Sequence, residues 1–141
     1  GDMEAKEEML FASMLAGVAF NAAGLGACHA LAHNLGARLH APHGRVNAVL
    51  LPQVIEANAQ APTAAKKYAR LAGLCGLSPN PRSLAGALRR LCRRLGIPEG
   101  LSGHADLAGV AADAMKDPCM PDNPKTFTPR ELEAILRGVV G

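Results

Sequence analysis

Aromatic and β-branched side chains are scarce in this sequence, and that scarcity decides most of what it can fold into. Phe11, Phe20, Tyr68 and Phe127 are the only aromatics, and there is no Trp. A core must therefore come from Leu, Ala, Val, Ile and Met, the material of packed helices. No stretch shows the sustained apolar–polar alternation of a half-buried strand. With 141 residues, 49% apolar and 19% charged, the chain can bury one core and stands clear of the disordered range. The expectation is an all-α fold, a single helical domain of about seven helices over residues 1–141.

Glycine and proline divide that domain. A first helix is expected from an N-cap near Asp2 to about Gly17, followed by an Ala- and Gly-rich segment containing Gly24 and Gly26. A tight helix over Ala27–Asn34 follows, with Gly36 just past its end. Gly44–Asn58 is predicted as a third helix, kinked or interrupted by Pro52, and Thr63–Cys75 as a fourth. Asn80 and Pro81 form an N-cap and first-turn pair for the fifth, which Gly96 and Pro98 close. A sixth lies near Ala105–Lys116. Pro118, Pro121 and Pro124 then exclude regular structure, and Thr128-Pro129-Arg130-Glu131 is a capping box opening the last helix.

Charge and cysteines exclude several classes of function. Arg89, Arg90, Arg93 and Arg94 interleave with Leu84, Leu88, Leu91 and Leu95, whose spacing marks one buried helical stripe. The arginines lie mostly off that stripe, and with no stacking aromatics near them they form a solvated face rather than a nucleic-acid site. Cys28, Cys75, Cys92 and Cys119 show no C-x-x-C pair. Reduced thiols in a cytoplasmic protein are the expectation. No apolar run reaches the roughly 20 residues that span a bilayer, so no membrane partner is expected.

His29, His33 and His43 are the chemical signal. His29 and His33 stand four apart on a predicted helix and share one face. His43, between Pro42 and Gly44, can bring a third imidazole toward them. Converging imidazoles suit Zn, Fe, Cu or Ni. The residues between His29 and His33 are Ala30, Leu31 and Ala32, so this is no zinc-protease helix. No Asp or Glu lies between Glu8 and Glu56, which leaves the set without a local carboxylate. Spacing alone supports either a metal site lacking a partner or histidines hydrogen-bonded within the fold. His40 and His104 carry no role beyond lining or capping.

The segment from Ala16 to Asn58 resembles the signature of iron-containing alcohol dehydrogenases, G-x-x-H-x-x-A-H-x-x-G, then P-H-G, N-A-x-x-L-P and a final Asn. Gly26, His29, Ala32, His33, Gly36, Pro42, His43, Gly44, Asn47, Ala48, Leu51, Pro52 and Asn58 carry it. Asp117, Cys119, Asn123 and Pro124 look like a later element of the same family. The Cys28-His29 and Leu39–His43 details are most similar to the ethanolamine- and propanediol-utilisation dehydrogenases and to bifunctional aldehyde–alcohol dehydrogenases. The resemblance implies the helical C-terminal domain of a two-domain enzyme that interconverts a primary alcohol and an aldehyde by hydride transfer. It also implies Fe²⁺, or Zn²⁺, and NAD(P) in the intact enzyme.

Residue by residue, it assigns His29 and His43 to the metal, His33 to hydride or proton transfer beside the nicotinamide, and Phe20 to the substrate pocket. A further Asp and His ligand, and the nucleotide-binding domain, belong upstream of this signature in the family. The isolated chain is therefore expected to be inactive and to hold no cofactor. The expected partners are an N-terminal nucleotide-binding domain and a small alcohol or aldehyde, with self-association also open. The alternative is a free-standing helical interaction module descended from such an enzyme, its histidines kept for packing.

Overall fold

A computed structural model describes residues 1–141 and shows seven α-helices: α1 (Met3–Ala23), α2 (Ala27–Leu39), α3 (His43–Asn58), α4 (Pro62–Leu74), α5 (Pro81–Arg94), α6 (Leu107–Ala114) and α7 (Pro129–Arg137). A one-turn 3-10 helix at Met120–Asp122 sits in the proline-rich strap between α6 and α7. The all-α expectation holds, and the caps follow their chemistry. Asn80 accepts from the Ser83 N–H at 2.8 Å with Pro81 in the first turn. Thr128 and Glu131 form the reciprocal capping box of α7.

Two helix ends differ from expectation. Gly17 does not end α1, which runs on to Ala23 and stops at Gly24, whose φ is 74°. A helical glycine costs only about 1 kcal/mol relative to alanine, too little to break so long a helix. α2 likewise passes through Gly36 to Leu39 and closes on His40 in the left-handed region at φ 49°. A Cβ at Gly36 would stand at ordinary contact distance, 3.5 Å from the Ala41 carbonyl oxygen and 3.6 Å from Val46, so the packing does not require glycine there. Pro52 lies inside a continuous α3. Its missing N–H would orphan the Ala48 carbonyl, and the Cys92 thiol of α5 lies 3.8 Å from that oxygen as a substitute donor.

The main core joins α2, α3, α6 and α7 through the fully buried Leu31, Leu35, Val46, Leu50, Val110, Leu132 and Leu136. A smaller cluster of Ile55, Ala72, Leu84 and Ala85 binds α4 and α5 to the end of α3. The leucine stripe of α5 is only half realised. Leu84 is buried, but Leu91 and Leu95 are 46% and 66% exposed, on a side of the last turns of α5 that nothing covers. Arg89 leaves the solvated face and grips Glu56 through two bonds of 2.7 and 2.8 Å, with Gln53 at 3.1 Å. That bidentate pair holds the Glu56 carboxyl below its ordinary range.

α1 buries nothing. Met9, Leu10, Phe11, Met14, Leu15 and Val18 are all at least half exposed, although the helix is long and apolar. No single helix is long and apolar enough to cross a membrane.

Candidate metal centre

Three turns of chain bring the histidines together. Gly26, at φ 90°, precedes α2 and lets the Asn123 side chain approach so closely that a Cβ would stand 2.9 Å from its Oδ1. That oxygen accepts the Ala27 N–H at 3.1 Å, and the Cys119 carbonyl accepts the Gly26 N–H at 3.0 Å. The first turn of α2, which has no capping side chain of its own, is thus held by the strap between α6 and α7. Asn123 is itself held by a reciprocal amide pair with Asn58, at 2.8 and 3.1 Å. Asn58 is the one buried polar side chain of the fold, and its Nδ2 also reaches the Tyr68 hydroxyl at 3.3 Å. The end of α3, the start of α2 and the strap are clasped at one point.

From that clasp α2 presents His29 and His33 on one side, and His43 opens α3 opposite them. The ring centroids are 5.3 Å apart for His29–His43 and His33–His43, and 6.0 Å for His29–His33. The structure therefore gathers all three predicted histidines. Phe20, in the last turn of α1, is 49% exposed and makes no ring contact with them. His40 is exposed at the end of α2, and His104 is exposed before α6.

The protonation chemistry of His29 suits a cation. Metal ligation needs neutral imidazoles with a free lone pair. Burial, with the neighbouring His43 and His33, lowers the His29 pKa below its ordinary value, so this ring favours the neutral form. The His43 Nε2 accepts from the Asn47 side-chain amide at 2.9 Å, so that lone pair is engaged by Asn47 and an ion would have to displace the amide to use it. Asn47 is oriented from behind by the Cys28 thiol, 3.4 Å from its Oδ1, and burial pushes that thiol up to about 12, keeping it a donor. Two imidazoles on one tetrahedral ion with M–N near 2.1 Å place their ring centres roughly 5 Å apart; His29–His43 and His33–His43, both at 5.3 Å, meet that equally.

His33 has a different partner. Its Nδ1 lies 2.9 Å from the Asp117 carboxylate, a side chain only 9% exposed. Burial alone would raise the Asp117 carboxyl, but hydrogen bonds from the Cys119 N–H and the His33 ring outweigh it and bring it below its ordinary value. Sequence spacing could not bring Asp117 to His33, because 84 residues separate them. The only sequence signal was the D-x-C-x-x-x-N-P pattern. His33, Asp117 and Cys119 also place donor atoms within 4.8 Å of one another. Burial and the adjacent Asp117 raise the Cys119 thiol above its ordinary value.

The description "Fe-containing alcohol dehydrogenase family, C-terminal" fits residues 1–140 of the chain. Alcohol dehydrogenase 4 of Saccharomyces cerevisiae is 43% identical over 96% of the chain and 37% of its own length. The 1-propanol dehydrogenase of Citrobacter freundii is 49% identical over 75% of the chain and 28% of its own. The crystal structure of a 1,3-propanediol oxidoreductase superposes with a TM-score of 0.89 at 38% identity, covering 97% of this chain and 38% of that one. The chain thus spans less than two-fifths of the length of these relatives.

Proposed function

The chain belongs to the Fe-containing alcohol dehydrogenase family, and from that premise we propose that it is the helical, metal-holding part of an NAD(P)-dependent enzyme interconverting a primary alcohol and an aldehyde. The convergence of three imidazoles from α2 and α3 carries this reading. His29 and His43 would hold a divalent ion, Fe²⁺ or Zn²⁺, together with an Asp and a His from elsewhere in the enzyme. When bound, such an ion polarises the oxygen of the alcohol or carbonyl. His33 stands beside the pair to take or give a proton at the reacting hydroxyl, and the nicotinamide exchanges the hydride. Phe20, at the end of α1, walls the substrate pocket once a second domain closes over it.

The partner of this surface is the nucleotide-binding remainder of the enzyme. An exposed apolar helix beside a polar reactive cluster is what a domain interface leaves when seen alone. A free-standing module would carry polar side chains on α1, which argues against that alternative.

Titrating this chain with Co²⁺ and following its visible spectrum tests the proposal. Binding is expected to be weak, because half the ligand set lies elsewhere, and alcohol-dependent NADH formation is expected to be nil. His29→Ala and His43→Ala should each weaken binding by roughly 10–100-fold or more, at least the loss usual when a residue behind a metal ligand is removed. Unchanged binding in both variants would refute the metal assignment.

A further inference from the structure

The His33 ring has two nitrogens, and the structure treats them differently. Nδ1 faces Asp117 at 2.9 Å, while Nε2 makes no hydrogen bond to the protein on the open side of a side chain that is 42% exposed. Asp117 does not reach this position by chance of rotamer. Its other oxygen accepts the Cys119 N–H at 2.9 Å, so the carboxylate is fixed by the backbone of the strap. The same strap holds the start of α2 through the Cys119 carbonyl and Asn123, six and seven residues before His33. Both the helix that carries the ring and the anion that grips it are therefore set by one short segment.

A carboxylate offers only acceptor oxygens, so the nitrogen it contacts must bear the hydrogen. We infer that Asp117 is a positioning residue: it locks His33 as the Nδ1–H tautomer and leaves Nε2, unprotonated, as the atom that receives a proton. A neutral imidazole left to itself favours the opposite tautomer, whose Nε2 already carries hydrogen and cannot accept one. The ring is held further by His43, whose plane lies 17° from that of His33. The role of this lock in proton transfer rests on the dehydrogenase reading above, whereas the tautomer itself does not.

Long-range ¹H–¹⁵N correlation spectra of the chain, recorded above the ordinary imidazole pKa, read the tautomer directly. In the parent chain the Nδ1–H form of His33 should exceed the other by roughly tenfold or more, as expected for a hydrogen bond to a charged acceptor. Asp117→Asn keeps an oxygen for the Cys119 N–H and turns an amide N–H₂ toward Nδ1. It should invert the tautomer and place the hydrogen on Nε2. Asp117→Ala should leave both forms populated. A parent chain with hydrogen on Nε2, or an Asp117→Asn variant that retains Nδ1–H, overturns the inference. The parent spectrum decides this even if a variant fails to fold. Failure of Co²⁺ to bind His29 and His43 would sink the metal reading and leave these spectra unchanged.

Discussion

Helices α1 and α2 are neighbours in the chain, both Ala-rich and apolar, and only the turn at Gly24–Gly26 separates them. Yet α2 buries Ala27, Cys28, Ala30, Leu31, Ala32 and Leu35, while α1 buries nothing. Local propensity makes both helical, and only one has found its packing partner. His29 and His33 lie just past that boundary, on the helix that is already packed. On the proposed reading of a site shared between two domains, this arrangement would preorganise His29 and His43 before the rest of the ligands arrive.

The largest expected effect breaks the comparison if it fails. Leu35 is fully buried between α2 and its neighbours, so Leu35→Ala should cost about 2–5 kcal/mol in urea unfolding. Leu15, 50% exposed on α1, should change stability by no more than about 0.5 kcal/mol on truncation to Ala. Equal losses at the two positions would mean that α1 packs against something in solution, a second copy of the chain included.

Asn123 sharpens the comparison by asking what holds α2 in place. Asn123→Ala leaves the Ala27 N–H without its acceptor, takes one of two acceptors from the Asn58 amide and removes the donor to the Asn58 Oδ1. Loss of roughly 2 kcal/mol is expected, the usual penalty for stranding buried polar groups. The amides of α2's first turn should also exchange faster than those of Leu31 and Leu35. Uniform protection along α2 would show that core packing alone fixes its start.

Much of this contrast was legible in the sequence, and the losses have common causes. Caps are local, so Asn80-Pro81 and the Thr128–Glu131 box located α5 and α7 closely. Gly17 and Gly36 misled because their cost is small beside that of ending a helix. The stripe at Leu91 and Leu95 had helical spacing without a cover, and periodicity reports which residues share a face, not whether anything lies over it. The three histidines were close enough in sequence to be grouped. Asp117 was not, since its place depends on how α6 and the strap return to α2.

The smallest effect concerns how the ends of these helices are secured. The α1 N-terminus rests on one exposed Asp2 bond to the Ala5 N–H, whereas Glu131 at α7 meets Lys125 at 2.5 Å and both the backbone N–H and hydroxyl of Thr128. Lys125, then the Thr128 bonds, draw the Glu131 carboxyl from the ordinary 4.5 down to about 2. A carboxyl depressed in the folded state binds its proton more readily when unfolded, so its stabilising contribution is complete above about pH 4.5. That contribution should fade as pH falls from there toward 2. The urea midpoint of the parent chain should therefore exceed that of Glu131→Gln at pH 7, with the gap closing across that window. Asp2→Ala should lower α1 helicity by circular dichroism without moving the midpoint, because no core depends on α1. A gap for Glu131→Gln that persists unchanged to pH 2 would mean that the residue acts through packing rather than charge.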